Sequence, residues 1–254
     1  MSFTGKSAVI FGGSRGVGRA CATLLAKRGA DVTIVYQSNH IEAEKTAVAV
    51  RALGRRAFTL ACDVSDSAQV ERAYQCIAAE FGDFQMLVST VGAATAFKTV
   101  RDLTPADWAH TMNVDLNGTF NILHFGLTPL QKAGGGSIVV VGSIGAQMVP
   151  ARNPHGAAAK AGVEALVRVV AREEARNHIR ANVVAIGITD TDMARFALQS
   201  WGEEITKRVI KSIPLGRIGT PQDVANSVIF LLGDDGAYIT GKVLQVDGGQ
   251  LITG

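Results

Sequence analysis

Cysteine is nearly absent from this chain of 254 residues: Cys21, Cys62 and Cys76 are its three, and no two form a C-x-x-C pair. So sparse and odd a count argues against a disulfide framework or a zinc site, and no metal is expected. It also fits a reducing compartment. No apolar run approaches the ~18 residues of a membrane span. The opening stretch, MSFTGKSAVIFGG, has neither the apolar core nor the A-x-A cleavage site of a secretory signal. A soluble, cytoplasmic protein is therefore expected, with no membrane partner. Charge of one sign is lacking too: 25 Lys and Arg against 22 Asp and Glu leave +3, thinly spread. That argues against nucleic acid as a partner.

What the chain has is core material and glycine. Hydrophobic residues make up 47% and charged residues 19%, a composition that folds rather than staying disordered. Glycine, at 28 residues, exceeds the typical ~7% and shows no collagen period. These glycines are expected at tight turns and close backbone approaches.

Short apolar runs alternate with amphipathic stretches from end to end. Strands are predicted at Ala8–Phe11, Asp31–Tyr36, Ala57–Cys62, Met86–Thr90, Ser137–Gly142, Arg180–Ile186 and Val243–Val246. Several are apolar at successive positions, as in Ile138-Val139-Val140-Val141, which suits strands covered on both faces. Three helix starts are legible: Thr104-Pro105, Asn153-Pro154 and Thr220-Pro221 each set a capping side chain before a proline at the first helical position. Asp107 and Asp223 follow in the first turn, where a carboxylate suits the helix dipole. The pattern predicts an α/β fold: a single doubly wound Rossmann-type domain over residues 1–254, with a parallel seven-stranded sheet flanked by helices. An α/β barrel is the alternative.

The run Gly12-Gly13-Ser14-Arg15-Gly16-Val17-Gly18 follows the first predicted strand and opens a helix. Glycines there let backbone approach a pyrophosphate, and the helix N-terminus offers free N–H groups. A tight strand-to-helix turn is the plainer reading. The spacing is G-x-x-x-G-x-G, and with it a family resemblance appears along essentially the whole chain.

The sequence resembles the short-chain dehydrogenase/reductase family, in particular its 3-oxoacyl reductases. Besides the glycine motif, Cys62-Asp63-Val64, Met112-Asn113-Val114, Ser143, Lys160-Ala161-Gly162-Val163, Thr191-Asp192-Met193 and Val246-Asp247-Gly248-Gly249 stand in family order. The resemblance implies a nicotinamide cofactor held by Gly12, Ser14, Arg15, Gly16, Val17, Gly18, Tyr36, Ser38, Asp63, Val64, Gly92, Lys160, Ile188 and Thr191. It implies Ser143, Lys160 and Asn113 as catalytic residues. It also implies a homodimer or homotetramer, with which the apolar tail Lys242–Ile252 is consistent.

Three departures stand out. Phe11 replaces the family's Thr, and Ser89-Thr90-Val91-Gly92 replaces its Asn-Asn-Ala-Gly. The family's catalytic tyrosine lies four residues before the lysine, and that position is Gly156. The three tyrosines, Tyr36, Tyr74 and Tyr238, lie elsewhere.

The second strand ends Val35-Tyr36-Gln37-Ser38, without the carboxylate that accepts the ribose hydroxyls of NAD. Arg15 can face a 2′-phosphate as a fork donor, or be a solvated loop charge. Ser38 and Asn39 add donors. The expected cofactor is NADP(H).

Hydride reduction of a carbonyl needs a proton donor for the developing alkoxide, and Gly156 leaves a hole where the ring would stand. His155 has a suitable pKa, yet lies about 140° around an ideal helix from Lys160; an exposed or capping His is the alternative. His110, His124 and His178 read as helix-face residues. Peroxisomal-type 2,4-dienoyl-CoA reductases resemble this chain in lacking the tyrosine, keeping the lysine, and carrying a His like His155 and an acidic residue like Asp115. On that resemblance Asp115 and His155 join the candidate catalytic residues; Asp115 is otherwise a buried helix carboxylate. A substrate flap is expected around residues 188–213. Met193, Phe196, Leu198 and Trp201 on it imply a small-molecule substrate with an apolar body, or simple helix packing. Two functions follow: an NADPH-dependent reductase of a carbonyl or conjugated carbonyl, and a dinucleotide-binding protein with little or no catalysis.

Overall fold

The computed structural model describes residues 2–94 and 97–252. Seven strands, β1 (Ser7–Phe11), β2 (Asp31–Tyr36), β3 (Ala57–Ala61), β4 (Met86–Ser89), β5 (Gly136–Ser143), β6 (Ile179–Ile186) and β7 (Val243–Val246), form one sheet in the order β3-β2-β1-β4-β5-β6-β7. Every pairing is parallel. The predicted strands fall within one residue of these bounds. Cys62 and Thr90 leave the ladder yet still donate their N–H groups to Tyr36 and Phe11.

Alternation along each strand divides the core in two. On β1, Ala8 and Ile10 face one side, and Val9 and Phe11 the other. The first side is covered by α1 (Gly16–Lys27), α2 (His40–Arg51) and α10 (Pro221–Leu232), through Cys21, Leu25, Ala47 and Val228. The second is covered by α3 (Ser67–Phe81), α5 (Gly118–Lys132) and α7 (Pro154–Glu174), through Ile77, Ile122, Val163 and Val167. Phe11 is fully buried and packs on Tyr74, ring centroids 5.6 Å apart. An apolar ring there extends the second core where the resembling family has a hydroxyl.

The two Thr-Pro starts form reciprocal capping boxes: Thr104 with Asp107 opens α4 (Pro105–Thr111), and Thr220 with Asp223 opens α10. Asn153 departs from expectation. It precedes α7 but makes no side-chain cap bond. Between α4 and α5 the chain makes a wide π-helical turn over Met112–Asn117, a form that recurs at functional sites. His178 is not on a helix face: it ends the turn after α7 in a left-handed conformation, φ 58°. A short α6 (Gly145–Met148) follows β5, and the segment expected as a flap forms α8 (Asp192–Trp201) and α9 (Glu203–Lys211) after β6.

Candidate active site

The strand order reverses direction between β1 and β4, where crossovers diverge to opposite faces and leave a crevice beyond the strand ends. A cavity of about 820 Å³ opens there. Gly12, Ser14, Arg15, Gly16, Val17, Gly18, Tyr36, Ser38, Asp63, Val64, Gly92 and Thr191 line it, whereas Lys160 and Ile188 do not. The Ile188 carbonyl is taken by the Gly219 N–H.

The glycine loop fits a phosphate-bearing cofactor. A Cβ on Gly18 would strike the backbone of Gly12 and Gly13, and Gly12 itself has φ 81°. The turn closes only without those side chains. No side chain caps the first turn of α1, so its N–H groups open toward the cavity. Arg15 is a solvated loop charge with a partner: its Nη1 lies 3.3 Å from Asp192 Oδ2 at the start of α8, both side chains 60% exposed. Glu42, unremarked in the sequence, also lines the cavity. Arg19 and Lys45 grip it, and the Lys45 hydrogen bond, then that of Arg19, hold its carboxyl down at about 2. Asn39 Oδ1 caps α2 by accepting from Glu42 N–H. Asp63 accepts from Ser65 and Gln37, which lowers its pKa, the Ser65 hydroxyl first.

Beside Gly92, Lys160 Nζ donates to the Val91 carbonyl at 3.0 Å and lies 3.1 Å from Asp115 Oδ2. Asp115 Oδ1 accepts from Ala93 N–H at 2.6 Å. The π turn thus carries Asp115 inward, 4% exposed. It leaves Asn113, two residues earlier, exposed, with Oδ1 accepting from Asn117. Lys160 is brought together with Asp115 and not with the Asn113 side chain. The physical reason is the helical period: two residues span about half a circuit, in an α turn as in a π turn, so only one of the pair faces the lysine. Thr90, not foreseen, donates from Oγ1 to the carbonyls of Phe11 and Gly12 and ties the fourth strand to the glycine loop.

Ser143 ends β5, and its Oγ accepts from Gly145 N–H at 3.0 Å. His155 lies inside the protein, 1% exposed, with neither ring nitrogen partnered among the described residues. The exposed or capping alternative is therefore wrong: Asn153 and Pro154 start the helix so that residue 155 points into the core. Burial pushes its pKa below 6.5, against the pull of Asp107 and Asp115. The place over Gly156 is not a hole either, because the Asn153 carboxamide lies against it. No tyrosine reaches this end. Tyr74 is buried and donates to the Ile122 carbonyl, Tyr36 meets His40 Nδ1 at 3.0 Å, and Tyr238 is fully exposed. On α8, Met193 lines the cavity and Trp201 packs edge-on against Phe97, centroids 5.3 Å apart.

Comparison with known proteins places this geometry. The family model described as enoyl-(acyl carrier protein) reductase matches residues 12–250. The short-chain type dehydrogenase/reductase y4mP of Sinorhizobium fredii is 37% identical, over 99% of this chain and 100% of its own. The 3-oxoacyl-[acyl-carrier-protein] reductase FabG of Escherichia coli is 35% identical, over 98% and 99%. Among solved structures, that of levodione reductase superposes with a TM-score of 0.94 at 31% identity, covering 98% of each chain.

Proposed function

This chain belongs to the short-chain dehydrogenase/reductase family, and from that premise we propose that it is an NADPH-dependent reductase of a ketone, 3-oxoacyl or conjugated enoyl compound that works without a tyrosine acid. That it is an oxidoreductase with a nicotinamide dinucleotide cofactor follows from the family. The NADPH preference, the substrate and the tyrosine-free chemistry are the proposal.

The observation that carries it is the joined set Lys160–Asp115–Ala93 beneath Gly92, with Ser143 at the neighbouring strand end. An ammonium has three donors. Val91 and Asp115 take two, which leaves one for a nicotinamide ribose hydroxyl. Ser143 Oγ already accepts from Gly145, so its own proton is free to point at a substrate oxygen. Arg15 is placed to exchange Asp192 for a 2′-phosphate. The cofactor, when bound, supplies two electrons and one hydrogen; the residues of this chain orient the acceptor carbon and stabilise the oxygen. Flap residues Met193 and Trp201, with Phe97, offer an apolar wall.

Exposed Trp108, Phe120 and Val169 on α4, α5 and α7, and Phe230, Tyr238 and Leu244 around one surface cavity, support the proposed homodimer or homotetramer. No helix among the described residues is long and apolar enough to cross a membrane; with three unpaired cysteines, a cytoplasmic location is proposed.

The test is NADPH oxidation, followed by absorbance, with 4-phenyl-3-buten-2-one, its saturated ketone 4-phenyl-2-butanone, and their thioester counterparts. Turnover of any one supports the reading. NADPH binding with no turnover across the set favours instead a protein that binds the dinucleotide without catalysis, a reading the glycine at position 156 keeps in view.

A further inference from the structure

The place four residues before Lys160 holds an amide. The ideal Cβ position of Gly156 lies nearest Asn153 Oδ1, and 2.9 Å from its Nδ2 and 3.0 Å from its Cγ, closer than packed atoms stand. The same Nδ2 lies 3.9 Å from the ideal Cβ position of Gly145, and Ser143 Oγ lies 3.1 Å from that point. Gly156 thus makes room for the carboxamide, and Gly145 keeps its own side clear beside the Ser143 hydroxyl. The amide is not spent on the helix it precedes, since it makes no cap bond with α7. The loop that delivers it is bent at two non-glycine residues in the left-handed region, Val149 at φ 43° and Arg152 at φ 66°. Such conformations cluster where a structure holds a group for a purpose.

We propose that Asn153 is a catalytic residue: its Nδ2 donates, together with Ser143 Oγ, to the carbonyl oxygen of the substrate, and this pair makes the site a reducer of conjugated carbonyls rather than of simple ketones. The inference deepens the reductase reading and rests on it. A carboxamide donates a hydrogen bond but has no proton to give up. It suits an oxygen that must carry charge briefly and not one that must be protonated. In conjugate reduction the β-carbon receives two electrons and one hydrogen from the reduced cofactor. The C=C electron pair shifts toward the carbonyl, and the charge comes to rest on oxygen as an enolate between Asn153 and Ser143. The α-carbon then takes one proton from solvent, so one NADPH and one proton are consumed per saturated ketone formed. Reduction of the carbonyl carbon instead leaves an alkoxide, a far stronger base, facing two groups that are poor acids at neutral pH.

The experiment compares wild type with Asn153→Asp, isosteric but without the N–H donors, and with Asn153→Ser, a residue that caps helices well. Wild type is expected to reduce 4-phenyl-3-buten-2-one in preference to 4-phenyl-2-butanone. Both variants are expected to lose about 10²–10³-fold in kcat for the enone, the range for one oxyanion donor. NADPH affinity and thermal midpoint should stay near wild type. A second readout needs no turnover: isotope-edited infrared spectroscopy of 4-phenyl-3-buten-2-one labelled at the carbonyl carbon, bound with NADP+. Loss of the Asn153 hydrogen bond should move the C=O band to higher wavenumber in both variants. An unchanged band, or enone turnover within about twofold of wild type, overturns the role of Asn153 while leaving the reductase reading intact. A wild type that reduces nothing in the set overturns the reductase reading, and the band then decides the amide contact alone.

Discussion

Lys160 Nζ and Asp115 Oδ2 stand 3.1 Å apart in the interior, and each is tied a second time, the lysine to the Val91 carbonyl and the aspartate to the Ala93 N–H. These bonds staple the β4–α4 loop, the π turn and α7 into one unit beside Gly92. The pair therefore holds the structure together, and its members cannot be removed singly without consequence.

Lys160→Met is expected to weaken NADPH binding by one charge-assisted hydrogen bond, about 1.5–3 kcal/mol. It also leaves a buried carboxylate unpaired, which costs about 3–5 kcal/mol of stability. The double variant Lys160→Met with Asp115→Asn restores charge balance. Its thermal midpoint should recover while NADPH binding stays weak. A double variant that regains affinity would remove Lys160 from the cofactor contact.

His155 makes stability depend on pH. Burial lowers its folded-state pKa below 6.5, so above that pH it is neutral in both states. As pH falls below 6.5 the unfolded chain takes up the proton first, and folding stability drops through the window down to the folded-state value. Lys98 adds to the depression, and Asp107 and Asp115 oppose it. His155→Leu removes this proton and two unpartnered nitrogens. Its melting curve should be flatter than wild type between about pH 7 and 5, with no loss at pH 7. A drop at the lower pH as steep as in wild type would assign the dependence to another group.

Gly156→Tyr by itself needs the Asn153 amide to swing aside, since the new Cβ would meet it, and its gain in ketone reduction is expected to be small. Paired with Asn153→Ala, the ring has the vacated space and a phenol one helical turn from Lys160, with the ammonium to lower its pKa. Ketone reduction by the pair should rise by roughly 10²–10⁴-fold over wild type, the range for general acid catalysis. An equal gain from the single variant would show that the amide moves aside freely.

Cofactor choice is expected to reside in Arg15. Arg15→Ala should reduce the preference for NADPH over NADH by about 10–100-fold, as loss of a charge-assisted bond to the 2′-phosphate predicts. Titration of both cofactors against both proteins measures it. A ratio unmoved by the substitution would leave Arg15 as a partner of Asp192 only.

Local pattern alone determined the sheet. Apolar runs bounded by Gly, Pro and capping residues specify strands and helix starts because hydrogen bonding and burial act over a few neighbouring residues. Thus all seven strands, the Thr104 and Thr220 caps, and the glycine turn were legible, and so was the position of Lys160 relative to Gly156. The side-chain constellation was not legible, because it depends on which way each backbone segment turns once packed. The π turn swings Asp115 toward Lys160 and leaves Asn113 in solvent. Asn153 and Pro154 look like an ordinary helix start, yet after a loop bent at Val149 and Arg152 the amide lies against Gly156 without making a cap bond to α7. His155, five residues from Lys160, is enclosed by elements distant in the chain. Periodicity places residues on a helix face; only the meeting of helices, loop and sheet decides which of those faces becomes the site.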